Sequence, residues 1–366
     1  MAIPSSNNST VLITGINGYI ASVLGMQLLE AGYSIRGTTR RLSSVDPLLE
    51  GPYAPYIDRV NIYEVPDMTV SGAFDEAAKG VHGIFHTASP IDMSLTTYAQ
   101  MVTPAVDGTK TLLISAQKAG PQLKAVVVTS SVIAVINPRT DSHVFTEADF
   151  ASEYLAQAQL DLKEGRQTHP GVLYGASKTA ADQAVWKFLK EEKPAFSIST
   201  INPAVVIGPP VYLPKTGDKL NETLKPIWSM LSGNTKTIPD NIGNGSWVDV
   251  RDVAYMHIWA FEHPEKSNGE RYIGCAGIGP WQAHADIARV YFKEKGEEQI
   301  VKNIPLGNPG EGYVGYNKET GVVEKVELAP DALRVSGEKA PREMGFTYKS
   351  VTESSIDTAE AIRPLL

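Results

Sequence analysis

Tyr174 and Lys178, four residues apart in YGASK, are the pair in this chain best suited to acid–base chemistry. At i and i+4 of a helix they stand one above the other on one face. There the lysine charge, alongside the positive nicotinamide of an oxidised cofactor, lowers a phenol from its reference pKa of about 10. A tyrosine tuned this way gives a proton to a carbonyl oxygen as a hydride reaches the carbon. The third part is a hydroxyl. VVVTSS ends on Ser130 and Ser131, and the carboxyl end of a buried strand is where open α/β sheets bind ligands. Strand register decides which serine faces the cleft, and either can hydrogen-bond a carbonyl.

A hydride needs a carrier. VLITGINGYIAS sets Gly15 and Gly18 between a strand and a helix. Small residues there let the backbone approach a pyrophosphate at the helix N-terminus. Gly15, Asn17, Gly18, Tyr19 and Ile20 are therefore candidate cofactor contacts. At the end of the second strand, IRGTTRR carries Arg40 and Arg41, where an NAD site carries an acid. Guanidinium forks suit a 2′-phosphate. Arg40, nearest the strand end, is the expected discriminator, and NADP (as NADPH) the expected cofactor.

These residues need a scaffold. Val11–Thr14, Tyr33–Thr38, Val60–Val65, Gly83–Thr87, Ala125–Thr129 and Ser197–Asn202 read as strands. Tyr19–Ala31, Val70–Lys79, Tyr98–Lys118 and Val172–Glu192 read as helices. Near-continuous apolar strands such as AVVVT suit a parallel sheet covered on both faces. Strand and helix in alternation predict right-handed crossovers and an α/β fold of Rossmann type, with a doubly wound parallel sheet. Beyond Asn202, Pro203, Pro209, Pro210 and Pro214 break the chain into loops before a helix over Asn221–Ser232. Trp247–His263 reads as a return to the nucleotide domain. The expected division is 1–203 with 244–275 for the NADP-binding domain. A smaller, discontinuous C-terminal substrate lobe takes 204–243 and 276–366, with the active site in the cleft between them.

Composition excludes several classes. A net charge of −8 argues against a general nucleic-acid binder, since phosphate backbones are held by clustered Lys and Arg. The longest weakly polar run, Ala125–Ile136, is too short for a bilayer. One cysteine, Cys275, allows neither an intrachain disulfide nor a Cys-based zinc site. MAIPSSNNST lacks the basic and apolar regions of a signal peptide. The expected location is the cytoplasm, with no membrane partner, and the glycosylation-type triplets at Asn7, Asn8, Asn221 and Asn244 read as chance matches. His82 and His86 lack a third ligand nearby, so no metal is expected. Trp228, Tyr212 and Met230 either line a substrate pocket or pack the variable lobe.

Taken in order, TGINGYIAS, RGTTRR, IFHTASP, PAVDGT, VVVTSS, YGASK, INPAVVIGP, WVDVRDVA and PREMGF resemble the extended short-chain dehydrogenase/reductase family. Within it the chain resembles the dihydroflavonol and cinnamoyl-CoA reductase branch and its fungal aldehyde and ketone reductase relatives. The resemblance covers nearly the whole chain. It implies NADPH-dependent reduction of aldehydes and ketones to alcohols, with Ser131 rather than Ser130 as the catalytic hydroxyl. It implies Asp67 and Met68 beside the adenine, His86, Ala88 and Ser89 along the cofactor, and Pro203 and Val206 near the nicotinamide. Phe150 stands where the family usually has tryptophan, and Ala151–Pro170 departs from the plant enzymes, so their phenolic substrates do not carry over. The expected partner is a small-molecule carbonyl substrate, and a homodimer is compatible with the family. Two alternatives use the same fold: a nucleotide-sugar epimerase or dehydratase, and a non-catalytic NADP-sensing protein.

Overall fold

Runs rich in Val and Ile become the strands of one buried sheet. The computed structural model describes residues 6–89, 95–139, 141–241, 245–327 and 334–366. Pro90 of IFHTASP, the Asn244 triplet and the expected domain boundary at 243/244 lie outside the described residues. Among the described residues the first strands are β1 (Thr10–Thr14), β2 (Ser34–Thr39), β3 (Val60–Glu64), β4 (Gly83–His86) and β5 (Ala125–Thr129). Then come β6 (Val144–Phe145), β7 (Ser197–Pro203), β8 (Val205–Ile207), β9 (Ser246–Asp249) and β10 (Arg271–Gly274). The last are β11 (Gly277–Ile278), β12 (Val314–Tyr316), β13 (Val323–Glu327) and β14 (Arg334–Val335). The α-helices begin with α1 (Tyr19–Glu30), α2 (Asp46–Leu49), α3 (Asp75–Ala78), α4 (Tyr98–Gln117), α5 (Glu153–Glu164) and α6 (Pro170–Glu192). They continue with α7 (Lys225–Ser232), α8 (Val250–Glu262), α9 (Pro264–Ser267), α10 (Trp281–Glu294), α11 (Glu298–Asn303), α12 (Lys339–Met344) and α13 (Val351–Ile362).

The chain divides into two units. The first is Met1–Pro138, Glu147–Asn202 and Ala254–Ile273; the second is Arg139–Thr146, Pro203–Val253 and Gly274–Leu366. In the first, seven strands hydrogen-bond in the order β10-β7-β5-β4-β1-β2-β3, and every pairing from β3 to β7 is parallel. The chain builds outward from β1 to β3, then restarts at β4 on the other side. That reversal opens a crevice at the carboxyl ends of β1 and β4, the position where such sheets bind ligands.

Both faces of this sheet are dry. Leu12, Ile84, Val126 and Ile198 lie in one register row across β1, β4, β5 and β7. They are fully buried with Leu112 and Leu113 of α4, Val185 of α6 and Phe74 before α3. The alternate residue Phe85 meets Phe261 of α8 edge-on at 5.6 Å, and Tyr33 meets the same ring at 5.8 Å. Gly83 is glycine because a Cβ there would lie 2.3 Å from that phenylalanine ring. Burial on two faces is why these strands read as continuous rather than alternating apolar runs.

The second unit holds a three-stranded sheet, β11-β9-β8, and the pairs β12-β13 and β14-β6. Helices α10 and α13 pack together there. Arg251 joins Asp249 at 2.8 Å and Asp357 at 2.6 Å.

Two expected helices come out shorter than read. Only Asp75–Ala78 of the Val70–Lys79 stretch is α-helical, because Gly72 takes a left-handed φ of 76° and makes a turn before it. Asn221–Ser232 becomes a helix only from Lys225, since the Asn221 side chain takes the Thr223 N–H in a local turn at 3.0 Å. Ala151–Pro170, left without an element, contains α5, closed by Gly165 at φ 66°. Finally, Arg139–Thr146 and Ser246–Val253 group with the second unit. Their strands pair outside the large sheet, β6 with β14 and β9 with β8 and β11.

Candidate active site

Two elements of the first unit deliver the acid–base residues. β5 ends at Thr129, and Ser131 follows as the N-cap of a short 3-10 turn, its Oγ accepting the Ile133 N–H at 3.3 Å. Helix α6 brings Tyr174 and Lys178. It starts with Pro170, whose missing N–H costs nothing in a first turn, and His169 Nδ1 accepts the Gly171 N–H at 3.1 Å. Gly175 is small because a Cβ would sit 2.6 Å from Tyr154 of α5, so α5 lies close along α6.

The Ser131 hydroxyl faces the Tyr174 phenol, near enough for hydrogen bonding to lower its pKa, while Ser130 turns away and donates to Asp182 at 2.6 Å. Register therefore turns Ser131, and not Ser130, toward Tyr174. The Lys178 ammonium lies 6.0 Å from the centroid of the Tyr174 ring. It is buried and forms no ion pair among the described residues, so desolvation pulls its pKa down to about 8. Tyr174 departs from expectation. Burial raises its pKa, and the Ser131 hydrogen bond is what lowers it in part. The cost of desolvating the phenolate outweighs what that hydrogen bond supplies.

The crevice between β1 and β4 holds the other candidates. Thr14 Oγ1 accepts the N–H groups of Thr87 at 3.1 Å and Ala88 at 3.0 Å. Its own proton is then left for His86 Nδ1, 2.9 Å away, which places the His86 proton on Nε2. That nitrogen is buried without a partner, and burial pulls the His86 pKa down to about 3. Gly15 has φ 66°, and a Cβ there would lie 3.3 Å from Ala88. Gly18 precedes α1, whose N-terminus carries no side-chain cap. Tyr19 and Ile20 form its first turn.

Asn17 Nδ2 donates to Ser44 Oγ at 3.2 Å, and Ser44 Oγ lies 2.7 Å from Thr39 Oγ1, tying the glycine loop to the end of β2. Arg40 follows, exposed, with no hydrogen bond or ion pair of its side chain among the described residues. Asp67 closes its own turn by accepting from Thr69 N at 2.8 Å and Thr69 Oγ1 at 2.7 Å, and those bonds hold its carboxyl below the usual range. Met68 fills the space over Gly108 of α4. Ser89 continues the β4 loop, Pro203 closes β7, and Val206 stands in β8, its carbonyl accepting from Thr223 at 2.5 Å.

Sequence reasoning missed Thr14, Asp182 and Asn202. The signal for Asp182 was present: an acid two helical turns beyond Tyr174, on the same face. Phe150, where the family usually has tryptophan, lies 4.1 Å from the Arg271 guanidinium. Cys275 is buried and its thiol is pushed up to about 12, as for a core residue.

A family model described as the NAD dependent epimerase/dehydratase family matches residues 11–274. A provisionally named NADPH-dependent methylglyoxal reductase of Candida albicans is 32% identical over 98% of this chain and 99% of its own. A cinnamoyl-CoA reductase of Medicago truncatula is 36% identical over 72% of this chain and 76% of its own. Among solved structures, the yeast methylglyoxal/isovaleraldehyde reductase complexed with NADPH superposes with a TM-score of 0.79 at 27% identity, covering 98% of this chain and all (100%) of that one.

Replacing Ser131 by Ala removes the bond that lowers the Tyr174 pKa. In 13Cζ-tyrosine NMR the Tyr174 resonance is expected to titrate at higher pH in Ser131→Ala than in the native protein. An unchanged or lower midpoint would show that the serine does not tune the phenol.

Proposed function

The chain belongs to the NAD dependent epimerase/dehydratase family, and on that premise we propose that it is an NADPH-dependent carbonyl reductase whose chemistry is carried by Ser131, Tyr174 and Lys178. It reduces aldehydes and ketones to alcohols. The observation that carries the assignment of residues is the Ser131 hydroxyl facing the Tyr174 phenol, with a buried ammonium 6.0 Å from that ring that has no acid partner among the described residues. A substrate carbonyl taking up that pair of hydroxyls is held by Ser131 Oγ. Tyr174 Oη gives it a proton. The Lys178 charge then stabilises the phenolate left behind, an interaction made stronger by the low local dielectric.

The first unit fits the cofactor. Gly15, Asn17, Gly18, Tyr19 and Ile20 would hold the pyrophosphate, Asp67 and Met68 the adenine. His86, Ala88 and Ser89 would line the remainder, and Lys178 the ribose. The orphaned Nε2–H of His86 and the Gly15 position, where a Cβ would press on Ala88, favour a ligand in that crevice. The family description names NAD, but the unpartnered Arg40 at the end of β2 suits a 2′-phosphate. When bound, NADPH supplies the hydride.

Of the apolar residues that the sequence suggests for a substrate, Val211, Tyr212 and Leu213 are half-buried. Leu224, Ile227 and Met230 are core instead, and Trp228 is anchored by its Nε1 donating to Leu365 O at 3.1 Å. The cations of this segment are partly neutralised, Lys219 by Asp218 at 3.4 Å and Lys225 by Glu222 at 2.5 Å. That disfavours a clamp for a second pyrophosphate and favours a small apolar carbonyl compound. We assign the protein to the cytoplasm on the strength of its single buried cysteine, and a homodimer is compatible with the family. Among the described residues no helix is long and apolar enough to cross a membrane.

Two outcomes are expected. Tyr174→Phe should keep NADPH binding and lose at least about a hundredfold in kcat with methylglyoxal or a β-keto ester, the usual worth of a general acid. Turnover within threefold of native, or micromolar binding of UDP-sugars without ketone reduction, would contradict the assignment. Second, NADPH affinity should fall as pH rises through about 8, where Lys178 loses the charge that grips the ribose, by roughly tenfold for one charged hydrogen bond. Calorimetric titration between pH 7 and 9.5, on the order of one unit either side of that value, reads this. An identical slope in Lys178→Met would assign the effect to another group.

A further inference from the structure

Behind the acid–base residues lies a buried polar cluster that proton transfer itself does not use. Its centre is Asp182, 3% exposed on α6. One carboxylate oxygen accepts from Ser130 Oγ at 2.6 Å and Asn202 Nδ2 at 3.4 Å. The other accepts from Trp186 Nε1 at 2.9 Å and lies 3.4 Å from the Arg271 guanidinium, itself 4% exposed. The same Asn202 amide donates to the backbone carbonyl of Ser131 at 3.1 Å, and Thr200 Oγ1 donates to its Oδ1 at 2.8 Å. Arg271 reaches the carbonyls of Ala134 at 3.1 Å, Glu147 at 3.2 Å and Asp149 at 2.5 Å. The cluster therefore joins α6, the end of β5, β7, β10 and the loop that follows Ser131.

Tyr174, Lys178, Asp182 and Trp186 stand at i, i+4, i+8 and i+12, one stripe of α6. A buried ion pair is weak evidence for stability, because apolar packing of the same volume often serves as well. What such a pair can supply is a unique register. An α-helix advances about 12 Å over eight residues, so Asp182 and Tyr174 sit on one stiff rod. Fixing its far end against Ser130 and Asn202 fixes Tyr174 Oη against Ser131 Oγ. We propose that Asp182 is a positioning residue for carbonyl reduction, acting through Ser130 and Asn202 to hold the Ser131 segment of β5 in register with Tyr174. The proposal rests on the reductase assignment above.

A double-mutant cycle in the full-length enzyme tests it. Ser130→Ala deletes one hydrogen bond to Asp182 and no charge, so it is the variant that should fold, and Asp182→Asn is the more severe companion. Ser130→Ala should lower kcat by about tenfold, the worth of one hydrogen bond to a charged group, with the KM for NADPH and the melting temperature nearly unchanged. Introduced into Ser131→Ala, the same change should have almost no further effect, because the group it positions is gone. Full kcat in Ser130→Ala would overturn the proposal, as would an equal loss in both backgrounds or a loss confined to melting temperature and NADPH KM. Native turnover in Ser131→Ala alone is a separate result, and it would overturn the site assignment on which the proposal stands.

Discussion

The burial of one polar stripe of α6 against the carboxyl edge of the sheet is the constraint on which the acid–base site depends. Lys178 is 6% exposed and Asp182 3% exposed, a cation and an anion carried into the protein by the same helix face. Holding a charge there is costly without compensation. Asp182 finds it in four donors. Lys178 finds none among the described residues, and desolvation pulls its pKa down to about 8. The contrast separates their work. The satisfied charge orders the scaffold, whereas the unsatisfied one is available to a ligand, the pattern expected where structure and function divide a cluster of ionisable groups.

The same logic applies at the crevice between β1 and β4. Thr14 spends both lone pairs and its proton on Thr87, Ala88 and His86, which leaves His86 neutral with its free N–H buried. Glycines stand where a Cβ would press on a neighbour, Gly15 on Ala88 and Gly37 on Ile16. Strand order makes the crevice, and these local contacts shape it. A phosphate-bearing ligand would find there an uncapped helix and, beyond the end of β2, exposed guanidiniums.

Most of the nucleotide-binding unit was legible because local and global signals agree. Ala125–Thr129 is predicted as a strand with the bounds observed, since its apolar run is short, β-branched and bounded by polar residues. Tyr19–Ala31 and Tyr98–Lys118 differ from α1 and α4 by one residue at the C-terminus. The failures sit where one residue overrides a pattern, as Gly72 does before α3. They also sit where pairing is long-range, as β6 finds β14 nearly 200 residues later, Arg334 opposite Val144. Periodicity contains no information about such a partner. The serine register was undecidable for the same reason: nothing local to VVVTSS shows that Asp182 takes Ser130. The raising of the Tyr174 pKa by burial was not legible either, because spacing fixes which groups are near and not how much water each retains.

The most direct test of the account is a single turnover of the native enzyme mixed with NADPH and an aldehyde, followed at the reduced-nicotinamide band in H2O and in viscosity-matched D2O. Deuteration of the transferring hydrogen identifies the phase that reports chemistry. If Tyr174 gives up its proton as the hydride arrives, that phase is slower in D2O, and Tyr174→Phe loses the solvent effect together with the rate. A phase that slows with deuterated NADPH yet runs equally fast in both solvents would contradict proton donation from Tyr174 in that step.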